Sequence, residues 1–333
     1  MKGFCRVCPE CDGKACRGEV PGIGGTGSGA SFIRNVAALR QVKLAMRSIH
    51  RVCDPQTEVT LFGRSLAAPV LSAPVAGVVF NMSSSVSERE YTGAVVNGCR
   101  DAGVMGSTGD GELEELFDSA EAALREAGGA AIPFIKPWDD RRIDERIERI
   151  AAAGAGVFGM DIDAAGLVTL NSVGQPVYPK GGEELKRIAE RSGLSFIVKG
   201  VMSPEEARTA VDAGADGIVV SNHGGRVLDH TLATAEVLSG IAAEVGGETV
   251  LLADGGVRSG VDVFKMLALG ADAVLAGRPL AIAAIGGGRE AVRDEIMEWR
   301  EQLRGAMVMT ASAHVSDITA DALQNGHEYS EER

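Results

Sequence analysis

After residue 65 the chain keeps one rhythm: a short apolar run closed by Gly, Ser, Asp or Asn, then a segment with the spacing of an amphipathic helix. The runs fall at 69–73, 103–106, 131–135, 156–161, 195–199, 217–221, 249–253 and 273–276. The helical patterns lie near 87–101, 112–126, 140–153, 182–192, 204–213, 233–245, 259–269 and 289–304. Some helix starts are explicit: in Ser203-Pro204-Glu205-Glu206 a capping serine precedes a proline at the first helical position. Strands that alternate with helices pair in parallel, because each helix returns the chain to the same end of the sheet.

Eight such units in roughly 240 residues have the size of a closed (β/α)8 TIM barrel. An open doubly wound sheet would normally carry Gly-x-Gly-x-x-Gly after its first strand. Here that turn reads Ala73-Pro74-Val75-Ala76-Gly77. The expected architecture is therefore α/β: a TIM barrel over 31–323, preceded by a Cys- and Gly-rich extension over 1–30 and followed by a polar tail over 324–333. A helix from about 31 to 50 and a hairpin strand at 58–63 lead into the barrel. Scarce aromatics (4%) beside 44 glycines suit short strands joined by tight turns.

A net charge of −13 argues against nucleic acid as a partner, since phosphate contacts need clustered Lys and Arg. The acidity is spread over the helical segments 112–126 and 140–149 and reads as solvated surface. No run reaches the ~18 apolar residues of a membrane helix, and Met1-Lys2-Gly3-Phe4-Cys5 lacks the apolar core of a signal peptide. The expectation is a cytoplasmic protein without membrane insertion.

In a barrel of this kind chemistry gathers at the C-terminal ends of the strands. The fifth ends in Lys199, a cation that is costly to bury unless it meets a negative charge. The sixth ends in Ser221-Asn222-His223-Gly224-Gly225-Arg226, where a histidine can titrate near neutrality and an arginine can grip a carboxylate. The seventh ends in Asp254-Gly255-Gly256-Val257-Arg258-Ser259-Gly260 and the eighth in Gly277-Arg278-Pro279. Glycine turns facing helix N-termini, each with an arginine, point to a phosphorylated ligand. A phosphate at that end, with Lys199 and His223 some way off, suits a flavin mononucleotide whose reduced ring the lysine would stabilise.

These residues reach a resemblance. Ser221 to Asp229 with Ala233-Thr234, together with Ile197-Val198-Lys199-Gly200-Val201, Asp254 to Gly260, and Leu269-Gly270-Ala271-Asp272-Ala273 with Gly277-Arg278-Pro279, resembles the FMN-dependent α-hydroxy-acid oxidising enzymes, among them glycolate oxidase, lactate oxidase and mandelate dehydrogenase. The match is specific over about 195–280 and absent over 1–30. The resemblance implies oxidation of a 2-hydroxy acid to the 2-oxo acid. His223 takes the hydroxyl proton while a hydride passes to flavin N5, and Arg226 binds the substrate carboxylate. Lys199 supports the flavin ring; Asp254, Gly255, Gly256, Arg258, Gly277 and Arg278 hold the phosphate, with Asp254 also orienting the base. Ala73, Pro74, Val75 and Ala76 back the flavin; Ser107 and Ser221 join its contacts, and Asp161 stands where the family often has threonine. Homo-oligomers are common in the family, and reduced flavin needs an acceptor, so an electron-acceptor protein is a further expected partner.

The chain also departs from the pattern. The family's two substrate tyrosines have no counterpart, and Lys136 occupies one of those places. No arginine falls between Asp163 and Lys180, where a second carboxylate ligand is expected. Lys136 or Lys180 are the candidates to replace the lost cation, or the substrate differs.

The extension carries Cys5, Cys8, Cys11 and Cys16 in a C-x2-C-x2-C-x4-C run, close to ferredoxin-type spacing and not far from zinc knuckles. An iron–sulfur cluster, zinc or free thiols all satisfy it. Two other readings use the same barrel: a non-redox FMN enzyme resembling type 2 isopentenyl diphosphate isomerase, and a flavin-binding sensor or partner protein without turnover. A dehydrogenase of the inosine-monophosphate type fails, because it needs a nucleophilic cysteine after the sixth strand and none lies beyond Cys99.

Overall fold

The computed structural model describes residues 5–20, 22–167, 170 and 177–324. Helix α1 (Ala30–Gln41) precedes a hairpin of β1 (Val59–Leu61) and β2 (Arg64–Leu66). Eight strands follow: β3 (Val70–Ser72), β4 (Gly106–Thr108), β5 (Ala131–Ile135), β6 (Val157–Asp161), β7 (Ser195–Val201), β8 (Gly217–Val220), β9 (Val250–Ala253) and β10 (Ala273–Ala276). They form one parallel sheet in the order β3-β10-β9-β8-β7-β6-β5-β4. Between β3 and β4 the wall closes through a side chain: the Ser107 amide donates to Ser72 Oγ at 2.6 Å. The expected barrel is present, with the hairpin before it.

The helices are α2 (Val78–Asn81), α3 (Glu88–Asp101), α4 (Glu114–Glu126), α5 (Asp140–Ala152), α6 (Gly182–Ser192), α7 (Pro204–Asp212), α8 (Thr234–Val245), α9 (Gly260–Ala268) and α10 (Arg278–Met309). Ser203 caps α7 by accepting from the Glu206 amide, as its sequence predicts. Among the described residues no helix is long and apolar enough to cross a membrane.

Strand alternation sorts the side chains into two cores. One face packs against the surrounding helices; the other fills the barrel with Leu71, Ile132, Phe134, Val157, Ile197, Val219, Leu252 and Leu275. Leu61 and Leu66 of the hairpin join that interior, and Phe62 reaches so close to Gly217 that a Cβ there would meet its ring at 2.9 Å. Gly159 makes room for Phe134 in the same way, since its Cβ would lie 2.2 Å from that ring. Burying such side chains contributes about 1.5–3 kcal/mol each.

Three boundaries differ from expectation. Helix α1 stops at Gln41 because the next residues turn to backbone pairing, with Leu44 bridged to Leu323 and the Ala45 amide donating to Ala322. Strand β4 lies at 106–108 rather than 103–106, so polar Ser107 and Thr108 hold the buried positions. Helix α10 begins at Arg278, well before 289, with a break at Gly288 (φ 65°, ψ −151°) that the run Gly286-Gly287-Gly288 permits.

Candidate active site

The same inward parity that fills the barrel carries polar groups to its C-terminal rim. Lys199 lies two residues beyond Ile197, Asp254 two beyond Leu252, and Gly277 two beyond Leu275. Lys136 lies two beyond Phe134, and Asp161 four beyond Val157. Above them opens a cavity of ≈ 690 Å³, a volume suited to a cofactor with its substrate.

Lys136, Asp161 and Lys199 form a buried relay of charge across β5, β6 and β7. Lys136 Nζ meets Asp161 Oδ2 at 2.7 Å, and Lys199 Nζ meets Oδ1 of the same carboxylate at 3.0 Å. Burial alone would raise the Asp161 pKa; the two ammonium groups outweigh it and hold the carboxyl below its usual range. Burial would likewise lower Lys199, but Asp161, Asp163 and Asp254 keep it protonated above the ordinary lysine value. Asp161 does not line this cavity; it lies beneath it, supporting two cations that do.

His223 stands in the left-handed region (φ 55°) and its Nδ1 lies 3.0 Å from Asp163 Oδ1. Its backbone amide donates to Ser221 Oγ, and Ser221 in turn donates to Asp254 Oδ2 at 2.8 Å. Burial pushes the imidazole pKa down, more than Asp163 raises it, so the ring is neutral at pH 7. With Nδ1–H donated to Asp163, Nε2 is left as the basic nitrogen. Asp163, not Asp254, is thus the carboxylate that orients the histidine. Sequence reading missed it, because Asp163 lies in the turn just beyond β6, where strand alternation no longer says which way a side chain faces. Asp254 instead sits 3.9 Å from Lys199, its own pKa raised by burial.

Asp161, Asp163 and His223 also bring three potential ligand atoms within 4.8 Å of one another. Two lysines already neutralise Asp161, which leaves a metal cation little to gain there.

Three guanidinium groups line the cavity. Arg226 donates to the Gly22 carbonyl and to Asn81 Oδ1, and no carboxylate pairs with it among the described residues. Burial lowers its pKa to about 10. Arg278 donates to the carbonyls of Ile23, Gly24 and Gly224 and stacks 3.7 Å above the Phe32 ring. Burial, then repulsion from Arg258 and Arg226, brings it down to about 9. Arg258 donates to the Cys11 and Val257 carbonyls. Arg226 and Arg278, satisfied only by carbonyl and amide oxygens, are primed for an anion.

Gly255 (φ 90°) and Gly256 (φ 91°) shape the adjoining turn, where a Cβ would strike Thr234 Oγ1 at 2.7 Å and the Asn35 carbonyl at 2.4 Å. This cationic, glycine-shaped end beside a rim bearing Lys199 and His223 fits FMN: Arg258, Arg278, Gly255, Gly256 and Gly277 would hold its phosphate, and Lys199 its ring.

Of the other expected contacts, Ala73, Pro74, Val75 and Ala76 line the cavity, whereas Ser107 and Ser221 lie beneath it. Ser107 Oγ has no hydrogen-bond partner. Lys136 lines the cavity and its amide is held by Asp110, which also accepts from the Trp138 indole at 2.6 Å. Lys180 does not line it; its ammonium lies 3.9 Å from Glu184. Much of the loop expected to carry a second arginine, residues 168–169 and 171–176, falls outside the described residues.

Known proteins resemble the chain over most of its length. The profile of the FMN-dependent dehydrogenase family matches residues 23–172 and 179–325. A 4-hydroxymandelate oxidase from Amycolatopsis orientalis is 34% identical over 88% of this chain and 91% of its own length. An L-lactate dehydrogenase from Stenotrophomonas maltophilia is 32% identical over 91% of this chain and 93% of its own. Among solved structures, a mandelate oxidase variant with a monooxide FMN adduct superposes with a TM-score of 0.74 at 32% identity, covering 94% of this chain and 98% of that one. A lactate oxidase from Pediococcus acidilactici gives 0.79 at 27% identity, covering 91% and 88%.

Proposed function

The chain belongs to the FMN-dependent dehydrogenases, and from that premise we propose that it oxidises a 2-hydroxy acid bearing an apolar side chain to the 2-oxo acid. Bound FMN supplies the two-electron acceptor. His223 Nε2 takes the substrate hydroxyl proton, with Asp163 holding the ring in that tautomer and stabilising the imidazolium that forms. Arg226 grips the substrate carboxylate through paired N–H donors. Lys199, kept charged by Asp161, faces the negative charge that gathers as the substrate is oxidised.

One observation carries this reading: a neutral, carboxylate-oriented histidine and a buried arginine without an acid partner line the same cavity. The apolar side chain follows from the cavity lining, to which Phe80, Met82, Leu113, Leu116, Leu167 and Leu170 contribute. Lys136 also lines the cavity and is the candidate second partner of the carboxylate. A homo-oligomer, a separate electron-acceptor protein and a cytoplasmic location belong to the same proposal.

The test is anaerobic bleaching of the bound flavin by a panel of 2-hydroxy acids. Aryl- or branched-alkyl acids are expected to reduce it faster than glycolate by 10-fold or more, since each buried methylene is worth about 0.8 kcal/mol. Flavin left oxidised by every acid in the panel overturns the proposal.

A further inference from the structure

Residues 5–20 form no helix or strand, and the segment brings almost no core of its own: Val7 is 54% exposed and every cysteine is a free thiol. Yet the chain folds back on itself there. Val7 (φ 48°), Gly13 (φ 84°) and Gly18 (φ 70°) turn it, and Arg6 closes the loop with two hydrogen bonds to Glu19 at 2.7 and 2.6 Å. Gly24 approaches so closely that a Cβ would lie 1.9 Å from the Cys16 carbonyl. The result is that Cys5, Cys8, Cys11 and Cys16 all line one small cavity. A segment this poor in apolar contacts needs a staple to hold four thiols together.

Donors already point at the sulfurs. The Val7 amide donates to Cys5 Sγ at 3.4 Å, and the Arg258 guanidinium reaches Cys11 Sγ at 3.6 Å. Such contacts stabilise thiolates and tune the potential of a cluster bound by them. Tetrahedral zinc places its sulfur ligands about 3.8 Å apart, but among the described residues no three cysteine sulfurs lie within 4.8 Å of one another. Finally, Arg278 and Ile23 line both this cavity and the large one, so a single layer of side chains separates the two.

We propose that Cys5, Cys8, Cys11 and Cys16 hold an iron–sulfur cluster that carries electrons away from the flavin site. The cluster rests on the cysteine geometry alone; its role as an exit rests on the flavin reading. Oxidation of one hydroxy acid releases two electrons and two protons. The electrons pass singly through the cluster to two molecules of a soluble one-electron carrier, and the protons go to solvent.

The experiment is iron, sulfide and zinc analysis of anaerobically purified protein, before and after reconstitution with ferrous iron and sulfide, with electron paramagnetic resonance of the reduced sample. Iron and sulfide in equal amounts, about four of each per chain, are expected. Cys8→Ser and Cys11→Ser should lose at least 10-fold of that iron while keeping FMN, whereas Cys53→Ser, an exposed thiol outside the cavity, should keep both. In the two cluster-poor variants substrate should still bleach the flavin, and reoxidation by the one-electron carrier should slow by 10-fold or more. Stoichiometric zinc, or reconstituted wild-type protein that holds no iron, overturns the cluster. Unchanged reoxidation in iron-free variants overturns the exit alone.

Discussion

The two walls of the cavity are built by the same barrel parity and spend their charges differently. On the wall from β7 to β10, Arg226 and Arg278 are satisfied only by carbonyl and amide oxygens, and His223 is kept neutral by burial. On the wall from β4 to β6, Lys136 is already matched by Asp161, and Asp110 by Trp138 and the Lys136 amide. The first wall is incomplete without an anionic ligand. The second is nearly complete by itself and can shape a substrate without demanding one. A site can thus keep a reaction's chemistry on one side while the other is arranged around one buried carboxylate shared by two lysines.

The sharpest way to break this contrast is Asp161→Asn, which leaves two buried ammonium groups without their shared carboxylate. Removing one partner of a buried pair costs about 3–5 kcal/mol, to be read by urea denaturation at pH 7. Because the folded Asp161 pKa is depressed, its contribution is present above the unfolded carboxylate value and disappears as pH falls toward the folded one. The gap between wild type and variant should therefore shrink in acid. A loss under about 1 kcal/mol would mean the lysines find other partners, as for an ordinary surface pair.

Arg226→Lys gives a smaller change on the other wall. It keeps the charge and loses the fork, and the KM for the hydroxy acid should rise roughly 10- to 100-fold, the worth of a charge-assisted hydrogen bond. Stability should move little, since no carboxylate is left behind among the described residues. A large stability loss with unchanged KM would show Arg226 serving only to hold Gly22 and Asn81.

The strand–helix rhythm made the barrel readable, because apolar runs report burial directly. It failed where buried positions are polar. At β4, Ser107 and Thr108 sit in the wall although hydropathy ends at Met105. Just beyond β6, Asp163 escaped notice beside Asp161, since nothing local says which of two carboxylates meets a histidine sixty residues away. His223, Arg226 and Lys199 were legible because glycine turns and strand ends flag them. Their partners Gly22 and Asn81 were not, because those contacts depend on how an irregular segment docks across the barrel rim.

The role of His223 as a neutral base is tested by the anaerobic rate of flavin reduction across pH, in wild type and His223→Asn with equal FMN content. The imidazole must lose its proton to act, and its folded pKa lies below the ordinary 6.5, so the wild-type rate should rise through a midpoint below 6.5 and then level. In the variant the limb should vanish and the rate fall by about 10²–10⁴. Equal rates, or the same acid limb in the variant, would contradict the assignment.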